Sequence, residues 1–301
     1  MYPDVSYFFD DIFGFSPDNW TSIFKTYGIF LFIGILVASL VFERELSKKL
    51  EIISKNGDVF TLPHNFRNNV LFIVAIAGII GSKILAIIEK HEIFFSYNIF
   101  DFIFKYTGIS FYGGLIGAAI ALILFFRAKK INILSALDAS APAILIGYSI
   151  GRLGCHFSGD GDWGVVADPK PESWFFPDWL WSYNFPHNVA NKGQWIEGCN
   201  FKYCHVLANP VFPTSFYESI ICFTLFLLIL AIKNWNIRIQ GMSFSIYLIL
   251  SGFERFFIEF IRLNKKYDYF GMLLSQAQFI SIALILIGIV SFFCCVFHKK
   301  L

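Results

Sequence analysis

The stretch "IGYSIGRLGCHFSGDGDWG", Ile146 to Gly164, decides how this chain is read. Its first half closes an apolar run long enough to cross a bilayer, and Arg152 stands at the outer end of that run. Its second half turns to glycine, cysteine, histidine and aspartate. An arginine at the centre of a membrane helix costs about 2.5–3.5 kcal/mol on insertion scales, so ionisable groups in spans face the interior and do something there. A polar, glycine-rich segment directly after such a span points to a site at one membrane surface.

The rest of the chain supports a membrane reading. It has 301 residues, of which 56% are hydrophobic and only 15% charged, with 38 phenylalanines. A soluble domain cannot hide that much apolar surface behind a charged exterior. Apolar runs of membrane-crossing length recur at 26–43, 69–89, 109–127, 134–153, 215–233, 241–262 and 272–297. Such runs match the roughly 17–25 residues needed to traverse the hydrocarbon core. The expected fold is an all-α integral membrane protein, a seven-transmembrane-helix bundle forming one polytopic domain over residues 1–301.

Lysine and arginine choose a side. Arg44, Lys48, Lys49, Lys55 and Arg67 follow the first span, Arg127, Lys129 and Lys130 the third, Lys233 and Arg238 the fifth, and Lys299 and Lys300 the last. By the positive-inside rule these segments are cytoplasmic. The N-terminus is then outside, the C-terminus cytoplasmic, and the polar stretch 155–213 an external insert between helices 4 and 5. Lys265 and Lys266 run against the trend and read as snorkelling anchors. The leading "MYPDVSYFFDDIFGFSPDNW" is acidic and lacks lysine and arginine, so the first span is expected to be retained rather than cleaved as a signal. The Trp- and Pro-rich "WFFPDWLWSYNFP" fits either a structure in the headgroup belt or an ordinary folded cap on the bundle.

A net charge of +2 gives no basic stripe, so no nucleic-acid partner is expected. The six cysteines form no ligand framework, and no metal or cofactor is expected. Cys294 and Cys295 read as small apolar fillers. Cys199 and Cys204 sit in one polar loop, and a disulfide or two free thiols both stay open.

Lys83, Asp138, Arg152, Arg255, Glu259 and Arg262 are too polar for the spans that hold them. Arg255, Glu259 and Arg262 in "ERFFIEFIR" stand at i, i+4 and i+7, one face of a helix. Arg152 and Arg255 lie toward the outer half, and a guanidinium fork is shaped to clamp a phosphate. Glu259 reads better as an ion pair fixing helix packing. In "FYGGLIGAAIA", Gly113, Gly114 and Gly117 either let helices approach closely or, beside Tyr112, line a cavity. Pro142 and Gly147 are expected to loosen the fourth span in the same way. This outlines an outward-facing polar pocket ready for an anion, in an enzyme acting on phospholipid or in an anion transporter. The chain has no internal repeat of the kind transporters show, which favours the enzyme.

With these residues in view, the chain resembles the prolipoprotein diacylglyceryl transferase family. The segments that carry the likeness are "KTYGIFLFIGILVA" with Tyr27 and Gly28, "GIIGSKILAIIE", "ISFYGGLIGA", "LDASAPAILIGYSIGRLG", "FPTSFYES" with Pro213, Tyr217 and Glu218, "SGFERFFIEFIR" and "GMLLSQAQFISI" with Gln278. The resemblance implies transfer of the diacylglyceryl group of phosphatidylglycerol to a cysteine thiol of a prolipoprotein signal peptide, in the bacterial cytoplasmic membrane. It places Arg152 and Arg255 around the lipid phosphate, and Tyr27, Gly113, Gly114, Gly154, Arg262 and Glu259 against the substrates. Tyr112 stands where many members have the histidine proposed as base. His156 is then either a base supplied from a neighbouring position or a loop histidine bonded locally. The family signature Gly-Arg-x-Gly-Asn-Phe-x-Asn-x-Glu is rewritten here as "GRLGCHFSGDGDWG", with Cys155 and Ser158 for the asparagines and Asp160 or Asp162 for the glutamate. That rewriting leaves a second reading, a divergent non-catalytic or retargeted phospholipid-binding membrane protein.

Overall fold

A computed structural model describes residues 1–53, 62–63, 65–89, 110–236, 239–269 and 271–298. The protein is a mostly helical membrane protein. In chain order the main helices are α1 (Val5–Phe13), α2 (Thr26–Ile53), α3 (Phe66–Glu89), α4 (Phe111–Ala128), α5 (Ile133–Ser158), α6 (Thr214–Asn236), α7 (Met242–Ile258) and α8 (Gln276–His298). Among the described residues five helices are long and apolar enough to cross a membrane: α2, α3, α5, α6 and α8. The remaining two expected spans form the shorter α4 and α7, of 18 and 17 residues. Among the described residues there are also two small antiparallel hairpins, β1 (Gln194–Trp195) with β2 (His205–Val206), and β3 (Lys266–Tyr269) with β4 (Met272–Ser275). The chain divides into two compact units, Glu43–Ala139 and the remainder.

In the unit Glu43–Ala139, glycines decide how α3 and α4 meet. A Cβ on Gly117 would stand 2.6 Å from Ala77 O and 2.9 Å from Gly81 Cα, and one on Gly114 would stand 2.6 Å from Ser82 Oγ. Gly113 and Gly81 abut in the same way. Glycine costs about 1 kcal/mol against alanine inside a helix. Here the backbones approach too closely for any side chain, and the gained contact offsets that cost. Gly113 and Gly114 are therefore accounted for by helix packing. This unit also buries an ion pair between Lys49 and Asp138. The first span, α2, was expected to stop at 43, with Lys49 in a loop. It continues to Ile53, and the buried carboxylate of Asp138 explains why Lys49 stays on it.

In the larger unit, the N-terminal half of α2 lies along α5. A Cβ on Gly34 would stand 3.0 Å from Gly147 O, and one on Gly154 would stand 2.7 Å from Phe30 Cβ. Gly147 and Pro142 were expected to loosen this span; Gly147 instead lets α2 approach closely, and α5 runs unbroken past the buried Pro142.

Three further boundaries differ from the sequence reading. Helix α5 runs through Ser158 instead of ending at 153, and stops where Gly159 adopts a left-handed φ of 63°. Cys155 and His156 are therefore on the helix. Helix α7 ends at Ile258; a 3-10 turn, Glu259–Ile261, follows, and Arg262 is extended. The reason is a backbone partner from the insert: Val165 N donates to Ile261 O, and Gly164 bridges Arg262. Arg262 is consequently off the helical face assigned to it. The last span was expected from 272, but Met272–Ser275 pairs as β4 and α8 begins at Gln276. A reciprocal cap fixes that start: Gln278 N donates to Ser275 Oγ and Ser275 N to Gln278 Oε1.

The insert is folded and stitched. Cys199 and Cys204 form a disulfide. Buried Asn188 donates to the carbonyls of Phe185, Lys192 and His205 and accepts from Lys192 N. Trp163, Phe185 and Val211 form its small core. The N-terminal segment docks on it, with Tyr203 N donating to Tyr7 Oη at 3.0 Å and Lys202 N to Asp18 Oδ2 at 2.7 Å. Away from that contact Phe8, Phe13, Phe15, Trp20 and Ile23 of the N-terminal segment, and Phe175 and Phe176 of the insert, are exposed.

Replacing Gly117 by leucine is expected to force α3 and α4 apart and to cost about 1–3 kcal/mol, the usual range for overpacking. A thermal melt of the detergent-solubilised protein should fall by several degrees. An unchanged midpoint would show that the glycine contact carries no packing load.

Candidate functional site

Helices α5, α6 and α7 present their charges to one another. Reciprocal bonds hold α5 to α6, with Ser149 Oγ donating to Ser219 O and Ser219 Oγ to Ser149 O, each at 2.9 Å. One residue before Ser219, the side chain of Glu218 is completely buried. Three arginines close on it. Arg152 Nε lies 2.5 Å from Glu218 Oε2, Arg262 Nη1 lies 2.6 Å from Oε1, and Arg255 Nη1 lies 3.1 Å from Oε1. Tyr148 Oη donates to Oε2 at 3.0 Å, and its ring lies 4.7 Å from the Arg152 guanidinium carbon.

Two further carboxylates complete the group. Asp162 binds Arg152 through Oδ2 and Arg262 through Oδ1, the latter at 2.8 Å. Glu259 Oε2 is 3.4 Å from Arg255 Nη2, a charge contact without hydrogen-bond geometry, while Asn264 Nδ2 donates to its Oε1 at 2.6 Å. Three guanidinium groups thus face three carboxylates. Burial raises the proton affinity of Asp162, but Arg262 and Arg152 outweigh that and hold its carboxyl below the ordinary 3.8. Asp162 is therefore anionic at neutral pH.

The structure sorts the residues expected from sequence. Arg152, Arg255, Arg262 and Glu259 come together. Of the two aspartates left open, Asp162 takes the arginines, and Asp160 accepts the Asp162 backbone N–H at 3.1 Å. Tyr27, in the first turn of α2, is within electrostatic range of Arg152, Cys155, Asp160 and Asp162. Gly154 beside it is consumed by the α2 contact. His156 lies one helical turn above Arg152, buried among Phe216, Phe185, Phe157, Tyr183 and Trp179 at ring separations of 5.2–6.3 Å. It is no loop histidine with local bonds, since its Nδ1 is buried without a partner. The backbone of Tyr112 opens α4, and its side chain is outside the described residues.

Cys155, Asp160 and Asp162 offer ligand atoms within 4.8 Å of one another. Both Asp162 oxygens are already held by guanidinium groups, which leaves two donors, fewer than the three or four protein ligands of a typical metal site.

Glu218 is the residue that the in-span criterion passed over, although it falls within the expected span 215–233. Glu254, in the expected span 241–262, was passed over too, and its Oε1 is buried without a hydrogen-bond partner.

Residues 21–294 match the sequence profile of the family described as prolipoprotein diacylglyceryl transferase. The chain belongs to that family. Among the curated phosphatidylglycerol–prolipoprotein diacylglyceryl transferases, the protein of Leptospira interrogans is 27% identical, over 88% of this chain and 86% of its own length. That of Lysinibacillus sphaericus is 30% identical, over 88% and 85%. Transferase 1 of Clostridium perfringens is 29% identical, over 89% and 88%. The diacylglyceryl transferase family's span thus takes in every residue of the arginine group, from Arg152 to Arg262.

The group gives an order of stability losses. Glu218→Ala removes the counter-charge shared by three arginines and is expected to cost about 3–5 kcal/mol, as for a broken buried ion pair. Asp162→Ala, with its side chain 39% exposed, should cost clearly less. Unfolding monitored by circular dichroism checks the order; equal losses would contradict it. Because the folded-state proton affinity of Asp162 is depressed, its contribution is present above the ordinary 3.8 and lost as the pH falls below it. Melting points of wild type and Asp162→Asn should therefore differ at neutral pH and converge in strong acid.

Proposed function

We propose that this protein transfers the diacylglyceryl group of phosphatidylglycerol to the thiol of a cysteine in a prolipoprotein signal peptide. The observation that carries this reading is the convergence of Arg152, Arg255 and Arg262 beside the outer end of α5, in a chain of the diacylglyceryl transferase family. Its substrates are then one anionic phospholipid and one peptide thiol, both delivered from a bacterial cytoplasmic membrane. The lysine and arginine distribution supports seven spans with the N-terminus outside, α4 and α7 being the short ones. The exposed aromatics of the N-terminal segment and insert suit the outer headgroup layer, where rings with one wet edge are favoured.

The chemistry follows from charge. The thiolate sulfur attacks the glyceryl carbon bearing the phosphate; a carbon–sulfur bond forms and the carbon–oxygen bond to phosphate breaks. Glycerol phosphate leaves with an additional negative charge. Fixed guanidinium groups stabilise that charge as it develops, without reorganising. In place of the expected pair Arg152 and Arg255, Arg152 and Arg262 then hold phosphate oxygens, and Arg255, which contacts Glu218 and Glu259, keeps those carboxylates in position.

The thiol proton must go to a base. Asp160 accepts the Asp162 backbone N–H, has no arginine ion pair among the described residues and lies within 4.8 Å of Cys155, which favours it over His156 in its aromatic enclosure. Tyr112 is a poorer acceptor by type, since a phenol ordinarily titrates near pH 10. Tyr27 and Glu259 line or brace the substrate side, while Gly113, Gly114 and Gly154 act through helix packing.

Purified protein in vesicles of acyl-labelled phosphatidylglycerol, given a lipobox peptide, should move label to the peptide. Arg152→Ala should reduce that transfer by roughly 10²–10³, the range for removing one charge-stabilising donor. Retained lipid binding without any labelled peptide from wild type would select a retargeted lipid-binding protein instead.

A further inference from the structure

Of the three carboxylates in the arginine group, two are built in and one is not. The side chains of Glu218 and Glu259 are 0% and 1% exposed, whereas that of Asp162 is 39% exposed. Glu218 projects from a helix, and Glu259 from the turn that continues one, braced by Asn264. Asp162 follows Gly159 and Gly161, both at left-handed φ, in the segment that leaves α5. Its backbone is anchored: its N–H donates to Asp160 Oδ1 and its carbonyl accepts from Thr214 Oγ1, each at 3.1 Å. Its carboxylate can therefore swing toward solvent by side-chain rotation alone.

The way it is held resembles a ligand more than a brace. One oxygen meets Arg152 and the other meets Arg262, as two phosphate oxygens would meet two guanidinium forks. The charge count agrees. The three arginines are already matched by the three carboxylates they contact, and Asp160 and Glu254 stand close by, so a phosphodiester arriving without a departure would be an uncompensated anion in a poorly solvated place. The anion cheapest to release is the one that water can receive.

We infer that the Asp162 carboxylate occupies the seat of the lipid phosphate between Arg152 and Arg262, and that phosphatidylglycerol binds by displacing it. This rests on the proposed substrate and names the two arginines that read its phosphate. Asp162 is then a positioning and selectivity residue: it keeps the arginines parted and charge-balanced in the empty protein, and it admits only a ligand whose anion outcompetes its own. Uncharged diacylglycerol gains nothing at this seat. Soluble glycerol phosphate, the released product, carries the same chemistry and competes for it, so the two anion sources separate by whether binding needs the acyl chains.

The test is equilibrium binding to the full-length protein in detergent, with Asp162→Asn against wild type. The variant keeps the shape and removes the competing charge. Affinity for phosphatidylglycerol should rise about tenfold, by the fraction of seats no longer self-occupied, and glycerol phosphate should gain by a similar factor. Diacylglycerol binding should be unchanged. In turnover the gain should appear as a lower KM. Unchanged or weaker phosphatidylglycerol binding by a variant that melts cooperatively would overturn the inference. Lost kcat at unchanged affinity would overturn it as well, by making Asp162 a participant in the chemistry. Should the variant not fold, a structure of the wild type with phosphatidylglycerol bound decides: phosphate between Arg152 and Arg262 with Asp162 rotated out supports the inference, and phosphate elsewhere refutes it. Because these readouts are binding and geometry, absence of label transfer by wild type would count against the proposed reaction separately.

Discussion

Glu218 is the point on which the site is built. Three guanidinium groups on α5 and at and beyond the end of α7 would repel one another if brought together alone. A single buried carboxylate on α6 makes their meeting favourable, because each arginine contributes a nitrogen to the same two oxygens. The three helices are thereby fixed in register by charge as well as by the Ser149–Ser219 exchange. In a low-dielectric setting such a network is strong only when its members are matched, and here each of the three arginines contacts at least one of the three carboxylates.

That matching has a functional edge. A site that must accept an anion cannot keep all of its positive charge permanently satisfied by rigid partners. The structure divides the task, giving two carboxylates fixed positions and leaving the third on a short, glycine-flanked segment at the surface. The insert contributes in the same economy. Its first residues, Gly164 and Val165, take the backbone of Arg262 and Ile261 as their partner, which ends α7 early and turns Arg262 toward Glu218 and Asp162.

Much of this was legible in the sequence. Hydropathy found α2 to α8, because a membrane span must be continuously apolar and the pattern tolerates errors of a few residues, but it gave no sign of the short α1. Arg152, Arg255 and Arg262 stood out because arginine within a span is costly. What failed, failed for local reasons. The end of α7 depended on a backbone partner far away in sequence, at Val165, which no periodicity reveals. The start of α8 was readable in principle from Ser275 and Gln278 at capping spacing, but the apolar Met272–Leu274 masked it. Glu218 met the criterion that singled out the arginines, and was passed over since a glutamate near a span boundary draws less notice. The choice between Asp160 and Asp162 could not be made from type, as both are aspartates two residues apart in a glycine-rich loop.

The central claim is that buried Glu218 holds three arginines in a phosphate-reading arrangement. Glu218→Gln preserves volume and most hydrogen-bonding shape while removing the charge that gathers them, so phosphatidylglycerol binding by this variant is the most direct test. The variant should fold, and its affinity for phosphatidylglycerol should drop by about tenfold or more, the scale of one lost charge-assisted interaction, with diacylglycerol binding little affected. A folded variant that binds phosphatidylglycerol as tightly as wild type would contradict that claim.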